Sequence, residues 1–120
     1  MLKLNHKILE VWQESLQLVK MTYSLTSVLP LDERFGLVSQ LNRASVSILS
    51  NISEGSSRSS KLERKRFYEI ARSSLVEVDT QLEILFELEL LQKSMEKDIE
   101  NQVNKVFAML SNLIKSTKMQ

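Results

Sequence analysis

The residues best suited to chemistry in this chain are cations. Positions 58–72 hold Arg58, Lys61, Arg64, Lys65, Arg66 and Arg72 against Glu63 and Glu69, a net charge of +4. Clustered Lys and Arg neutralise phosphates and give salt-dependent, sequence-tolerant affinity for RNA or DNA backbone. Arg34, Arg43 and Lys20 could extend such a patch. Two other uses stay open: a solvated face with i,i+4 pairs, or contact with the acidic half of a neighbouring subunit. Residues 73–100 form such a half, with eight acids against Lys93 and Lys97, a net of −6. A helix that starts basic and ends acidic runs against its own dipole, so something other than helix stability favours the order. Only Phe67 and Tyr68 interleave with the cations, and Phe67 is expected in the core, so base stacking has little support.

Other chemistries lack their parts. There is no cysteine, hence no thiolate nucleophile, disulfide or Cys-ligated metal. His6 is the only histidine, too few for a His-ligated metal centre and poorly supported for a triad, and it is expected in solvent near the start of the first helix. No Glu-x-x-His pair of the di-iron bundles occurs, no arginine precedes His6 as an Arg-x4-His ribonuclease pair requires, and no glycine-rich phosphate loop exists. Glu54 and Glu77 could serve as catalytic carboxylates but fit better in the polar seam described below. The expectation is a non-enzyme with no catalytic residue, no metal and no cofactor.

The elements that must position these residues follow from composition. The chain has 120 residues, 42% hydrophobic and 26% charged, with two glycines and one proline. That suits a single domain over residues 1–120 built from long helices, since sheets joined by tight turns need more breakers. Apolar spacing predicts helices at about 6–28, 32–54, 61–91 and 95–116. The first has the stripe Ile8, Val11, Trp12, Val19, Tyr23 and Thr26 and stops before Pro30. The second has Leu37, Leu41, Ala44, Ile48 and Ile52, with Gly55 as its C-terminal cap and Gly36 at a close helix contact. Ser60 and Glu63 form a capping box for the third, whose stripe is Phe67, Ile70, Ala71, Ser74, Leu75, Val78, Leu82 and Leu85. Ser94 caps the fourth, with Ile99, Val103, Val106, Leu110, Leu113 and Ile114 inward. The fold class is therefore all-α, an antiparallel up-down-up-down four-helix bundle. No apolar run nears the roughly 18 residues of a membrane span, and the N-terminal stretch has no signal-peptide h-region, so a cytoplasmic protein is expected.

Some polar residues sit beside the apolar stripes instead of opposite them. Gln40, Arg43, Ser47, Asn51 and Glu54 line one edge of the second helix, and Ser74, Glu77 and Gln81 one edge of the third. They form either a solvated face or a partly buried seam, in which Arg43 pairs with Glu77 and Asn51 bonds across the helices. A buried pair would set helix register more than stability.

The stretch PLDERFGLVSQLNRASVSILSNISEGSSR, Pro30 to Arg58, resembles the ribosomal intervening-sequence proteins, small bacterial four-helix bundles of which many are encoded within inserts of large-subunit (23S) ribosomal RNA genes. Pro30, Glu33, Phe35, Gly36, Leu37, Gln40, Arg43, Ala44, Ser47, Ile48, Asn51, Ile52, Glu54, Gly55 and Arg58 match that family's central pattern. A second block, FYEIARSSLVEVDTQL, fits at Phe67, Ala71, Ser74, Glu77 and Leu82, with Ser73 in place of a glycine and Val78 in place of a leucine. Leu9 to Trp12 fits the first helix. The resemblance implies a homopentameric ring without enzymatic activity, and suggests association with nucleic acid or the ribosome. Accessory proteins of diversity-generating retroelements are similar in fold and assembly, and they partner a reverse transcriptase. The leading expectation is an oligomer binding RNA or DNA backbone through Arg58, Lys61, Arg64, Lys65 and Arg66. The alternative is a self-assembling scaffold or adaptor with a protein partner.

Overall fold

Four amphipathic segments become four helices in the computed structural model, which describes residues 1–117 and leaves aside the side chains of His6, Ile8, Glu33, Arg34 and Phe35. Expectations resting on those five side chains lie outside the described residues. The helices are α1 (Glu10–Thr26), α2 (Ser39–Ser56), α3 (Lys61–Glu87) and α4 (Glu96–Ser116). Each packs on its neighbour in the chain, α2 on α3 most extensively, and α1 also packs on α4 to close the bundle. Its dimensions are 47 × 27 × 21 Å.

The helix boundaries differ from the expected ones for local reasons. A 3-10 turn, Asn5–Ile8, precedes α1, so the regular helix begins at Glu10. Residues 31–38 do not form the first turns of α2. They form a 3-10 turn and a π-helical turn, with Gly36 outside the helical region at φ −101°, ψ −110°. Neither glycine takes its expected role: Gly36 sits at a kink before α2, and Gly55 sits inside the last turn of α2, where α3 comes close and Ser57 is the C-cap. Ser60 caps α3, its Oγ accepting from the Glu63 N–H at 3.3 Å. Ser94, in contrast, belongs to a 3-10 turn, and α4 starts without a side-chain cap.

The third helix stops at Glu87, short of the expected residue 91. The Glu89 N–H bonds to Phe86 O and the Leu90 N–H to Leu85 O, both at 3.0 Å, which is the Schellman pattern of helix termination. Its left-handed position falls on Glu89, at φ 58°. Glycine carries no Cβ penalty there. Glu89→Gly is expected to raise the unfolding free energy by about 1 kcal/mol in urea titrations.

Leu18, Leu41, Ile48, Ile52, Leu75, Leu85 and Leu110 are fully buried. The stripes of α2 and α4 lie inward as expected, with Leu37 and Leu113 half-buried. In α1 the buried residues are Val11, Ser15, Leu18, Thr22, Leu25 and Thr26, so Val11 and Thr26 of the expected stripe lie inward while Tyr23 is 49% exposed. The buried side of α1 includes three small polar residues, and Thr22 and Thr26 are accommodated because their Oγ1 atoms donate to Leu18 O at 2.8 Å and Tyr23 O at 3.1 Å. In α3 the buried aromatic is Tyr68, Phe67 is half-buried and Ile70 is 40% exposed.

Candidate nucleic-acid interface

Antiparallel packing gathers the start of α1, the end of α2, the start of α3 and the end of α4 at one end of the bundle. A hollow there is lined by Asn5, Ser56, Lys61, Arg64, Tyr68 and Ser116, among others. Lys3, Lys7 and Lys115 therefore join the cations of early α3. At the opposite end, the close of α1 meets the start of α4 around Leu25, Met95 and Asp98. That end holds Glu87, Glu89, Glu96 and Asp98, with Lys93 and Lys97 among them. The bundle is polarised along its long axis.

Three of the six candidate cations are already engaged within the chain. Arg58 pairs with Glu54 at 3.4 Å and lies over the Phe67 ring, 4.9 Å from its centroid. Arg64 Nη1 donates to Arg58 O at 3.0 Å and Ser59 O at 2.9 Å, clamping the loop between α2 and α3. Arg72 Nη1 reaches Ser111 Oγ at 3.3 Å, with its guanidinium 5.9 Å from the Phe107 centroid. Lys61, Lys65 and Arg66 have no ion-pair or hydrogen-bond partner among the described residues. The six do not share one helix face. Lys61, Lys65 and Arg72 fall within about 40° of one another, and Arg66 lies about 100° round from Lys65. What unites Lys61, Lys65 and Arg66 is the end of the bundle. Nothing in the sequence marks Arg64 as a loop clamp, because its acceptors are backbone carbonyls of a turn.

The polar seam lies along the outer edge of the α2–α3 contact and is half-exposed. The Ser47 and Ser74 hydroxyls bond across the two helices at 2.9 Å. Asn51 does not cross; its Nδ2 donates to Ser47 O at 2.8 Å and Ser47 Oγ at 3.1 Å, within α2. Gln81, buried, donates to Gln40 Oε1 at 3.4 Å and Glu77 Oε1 at 3.3 Å. Arg43 and Glu77 are exposed and do not form the expected ion pair. The edge of the helix pair stays open to water, so neither charge needs the other.

One polar link was not foreseen. Gln102, buried on α4, donates through Nε2 to both the backbone oxygen and Oε1 of Glu14 at 2.9 Å, and Lys105 lies 3.6 Å from the same carboxylate. The Gln102 bond, aided by Lys105, holds the Glu14 carboxyl below its ordinary value of 4.5. A lowered carboxyl pKa adds stability above 4.5, and that stability is lost as pH falls below it. In Gln102→Leu, thermal midpoints measured from neutral pH into this acid range are expected to fall less steeply than in the parent.

Among the described residues there is no group of three or more His, Cys, Asp or Glu arranged to hold a metal ion. No helix among them is long and apolar enough to cross a membrane. Fold and charge together define a small antiparallel four-helix-bundle protein with a basic end and an acidic end. The chain belongs to the 23S rRNA-intervening sequence protein family, whose sequence model matches residues 7–112. It is similar in structure to a protein of unknown function from the S23 ribosomal protein family of Bacteroides thetaiotaomicron VPI-5482. The TM-score is 0.80 at 25% identity, covering 88% of this chain and 98% of that one. Comparison with curated proteins finds no match.

Proposed function

We propose that this protein is a non-catalytic homo-oligomer that binds nucleic-acid backbone through the basic end of its bundle. The observation that carries this reading is that Lys61, Lys65 and Arg66, unengaged among the described residues, stand where the ends of all four helices meet. Lys3 and Lys115, both exposed, widen the same field. Long cations with no internal partner can reach phosphates without breaking a bond, whereas Arg58, Arg64 and Arg72 would have to leave theirs. Family membership supports ribosomal RNA as the first nucleic acid to try. Self-assembly, as a pentameric ring by resemblance, would repeat the basic end around an axis and multiply a weak contact. Exposed Ile70 and Ile84, both at 40%, lie along α3 and supply apolar area for such an interface.

Anisotropy titration of labelled structured RNA and duplex DNA, at about 50 and 200 mM salt, tests the reading, with light scattering reporting the mass. Each phosphate contact contributes about 0.9 to the log–log salt slope, so K61E/K65E/R66E should flatten it by about 2.7. A variant of unchanged mass and unchanged slope would remove these residues from the interface. Absence of binding by the intact protein at the lower salt would end the nucleic-acid reading and leave the scaffold with a protein partner.

A further inference from the structure

A gap in the bundle surface whose charged lining is entirely acidic lies on the α3–α4 side. A groove of about 340 Å³ has Leu82, Phe86, Ile99 and Val103 along its floor. Its rims hold Asp79 and Glu83 on α3, and Glu96 and Glu100 on α4. No cation lines it, and none of the four carboxylates has an ion-pair partner among the described residues. A second hollow of about 210 Å³ shares Asp79 and Val103 and continues the groove to Val76 and Phe107, which are 51% and 42% exposed. Arg72 over the Phe107 ring marks where the groove stops.

Each rim repeats its carboxylate after four residues, and the floor residues interleave at three- and four-residue steps. That is the negative of an amphipathic helix with an apolar row flanked by cations on both sides. From Val76 to Phe86 the groove runs about 15 Å, close to three helical turns at 1.5 Å per residue. Lys93 and Lys97 stand near the start of α4 but do not line the groove, and Lys61, Lys65 and Arg66 lie toward the other end of the 47 Å bundle. The geometry points to this groove as the docking site for a Lys/Arg-flanked amphipathic helix of a partner protein. Apolar contact with Phe86, Phe107 and Val76 supplies affinity, and the carboxylate rims supply orientation and selection against acidic helices. This surface is separate from the basic end, so it allows one protein to hold a nucleic acid and a protein together.

The test uses the intact protein and a labelled, amidated 16-residue peptide of Leu and Lys with Leu at i, i+3, i+4 and i+7 spacing. Three comparisons accompany it: a scramble of the same composition, a Leu/Glu version, and the variants E83K/E100K and E83Q/E100Q. All the substituted side chains are exposed, and circular dichroism confirms the fold of each variant. The expected result is binding at about 50 mM salt that weakens at least tenfold with the scramble and with E83K/E100K. It weakens less with E83Q/E100Q and vanishes with the Leu/Glu peptide. Equal affinity for the scramble, or affinity insensitive to E83K/E100K, overturns the proposal. So does a fall in the parent's oligomer mass on E83K/E100K substitution, which assigns the groove to a second copy of the chain.

Discussion

Gly55→Val is expected to lower the stability of the bundle by about 1–3 kcal/mol and to displace the start of α3. A Cβ at this position would stand 2.8 Å from Tyr68 Cε1 and 3.0 Å from Phe67 Cβ. Neither neighbour gives way easily. Tyr68 is 4% exposed and its hydroxyl is bonded to Ser56 Oγ at 3.0 Å, and a Cβ moves only with its backbone. Valine gains little helix propensity over glycine to offset the crowding, whereas alanine gains up to about 1 kcal/mol, so Gly55→Ala should cost less than Gly55→Val. Urea titration measures both. Because the cations of the basic end follow directly on this contact, Gly55→Val should also weaken RNA binding at temperatures where the protein is still folded. A valine variant as stable as the parent would mean that α2 and α3 do not approach so closely at this point.

Ile48→Ala is the larger perturbation, with an expected loss of about 2–5 kcal/mol. Ile48 is 0% exposed, in the middle of α2 and in the central apolar cluster with Leu41, Ile52, Leu75 and Val78. Truncation removes buried methylene contacts and leaves a cavity between helices that can collapse only in part. Its signature differs from that of Gly55→Val. The cavity lies in the middle of the long axis, so the salt dependence of RNA binding should be unaffected wherever the variant is folded. Chemical denaturation read by circular dichroism gives the stability, and the same anisotropy titration gives the binding. A loss under about 1 kcal/mol would place Ile48 outside the tightly packed core.

These two positions also mark what each level of description determined. Four helices, their approximate spans and the inward residues of α2 and α4 were legible in the sequence. Helical periodicity and a shortage of Gly and Pro leave few other ways to bury Leu41, Ile48, Val106 and Leu110. The Ser60 cap was legible because its signal is local. The family motif was legible because its residues are closely spaced along α2 and α3. Tertiary structure decided the rest. Hydropathy placed Tyr23 inward, but the register of α1 against its neighbours buries Ser15 and Thr22 instead. The two glycines could not be told apart by type, since a kink and a close approach both call for a missing side chain. Wheel positions brought Arg43 and Glu77 to adjacent edges, yet an edge open to water does not force them to pair. The charge asymmetry was visible along residues 58–100 of the chain. Only antiparallel packing turns it into a basic end and an acidic groove, because it brings the start of α1 and the end of α4 to Lys61 and sets Glu96 and Glu100 opposite Asp79 and Glu83.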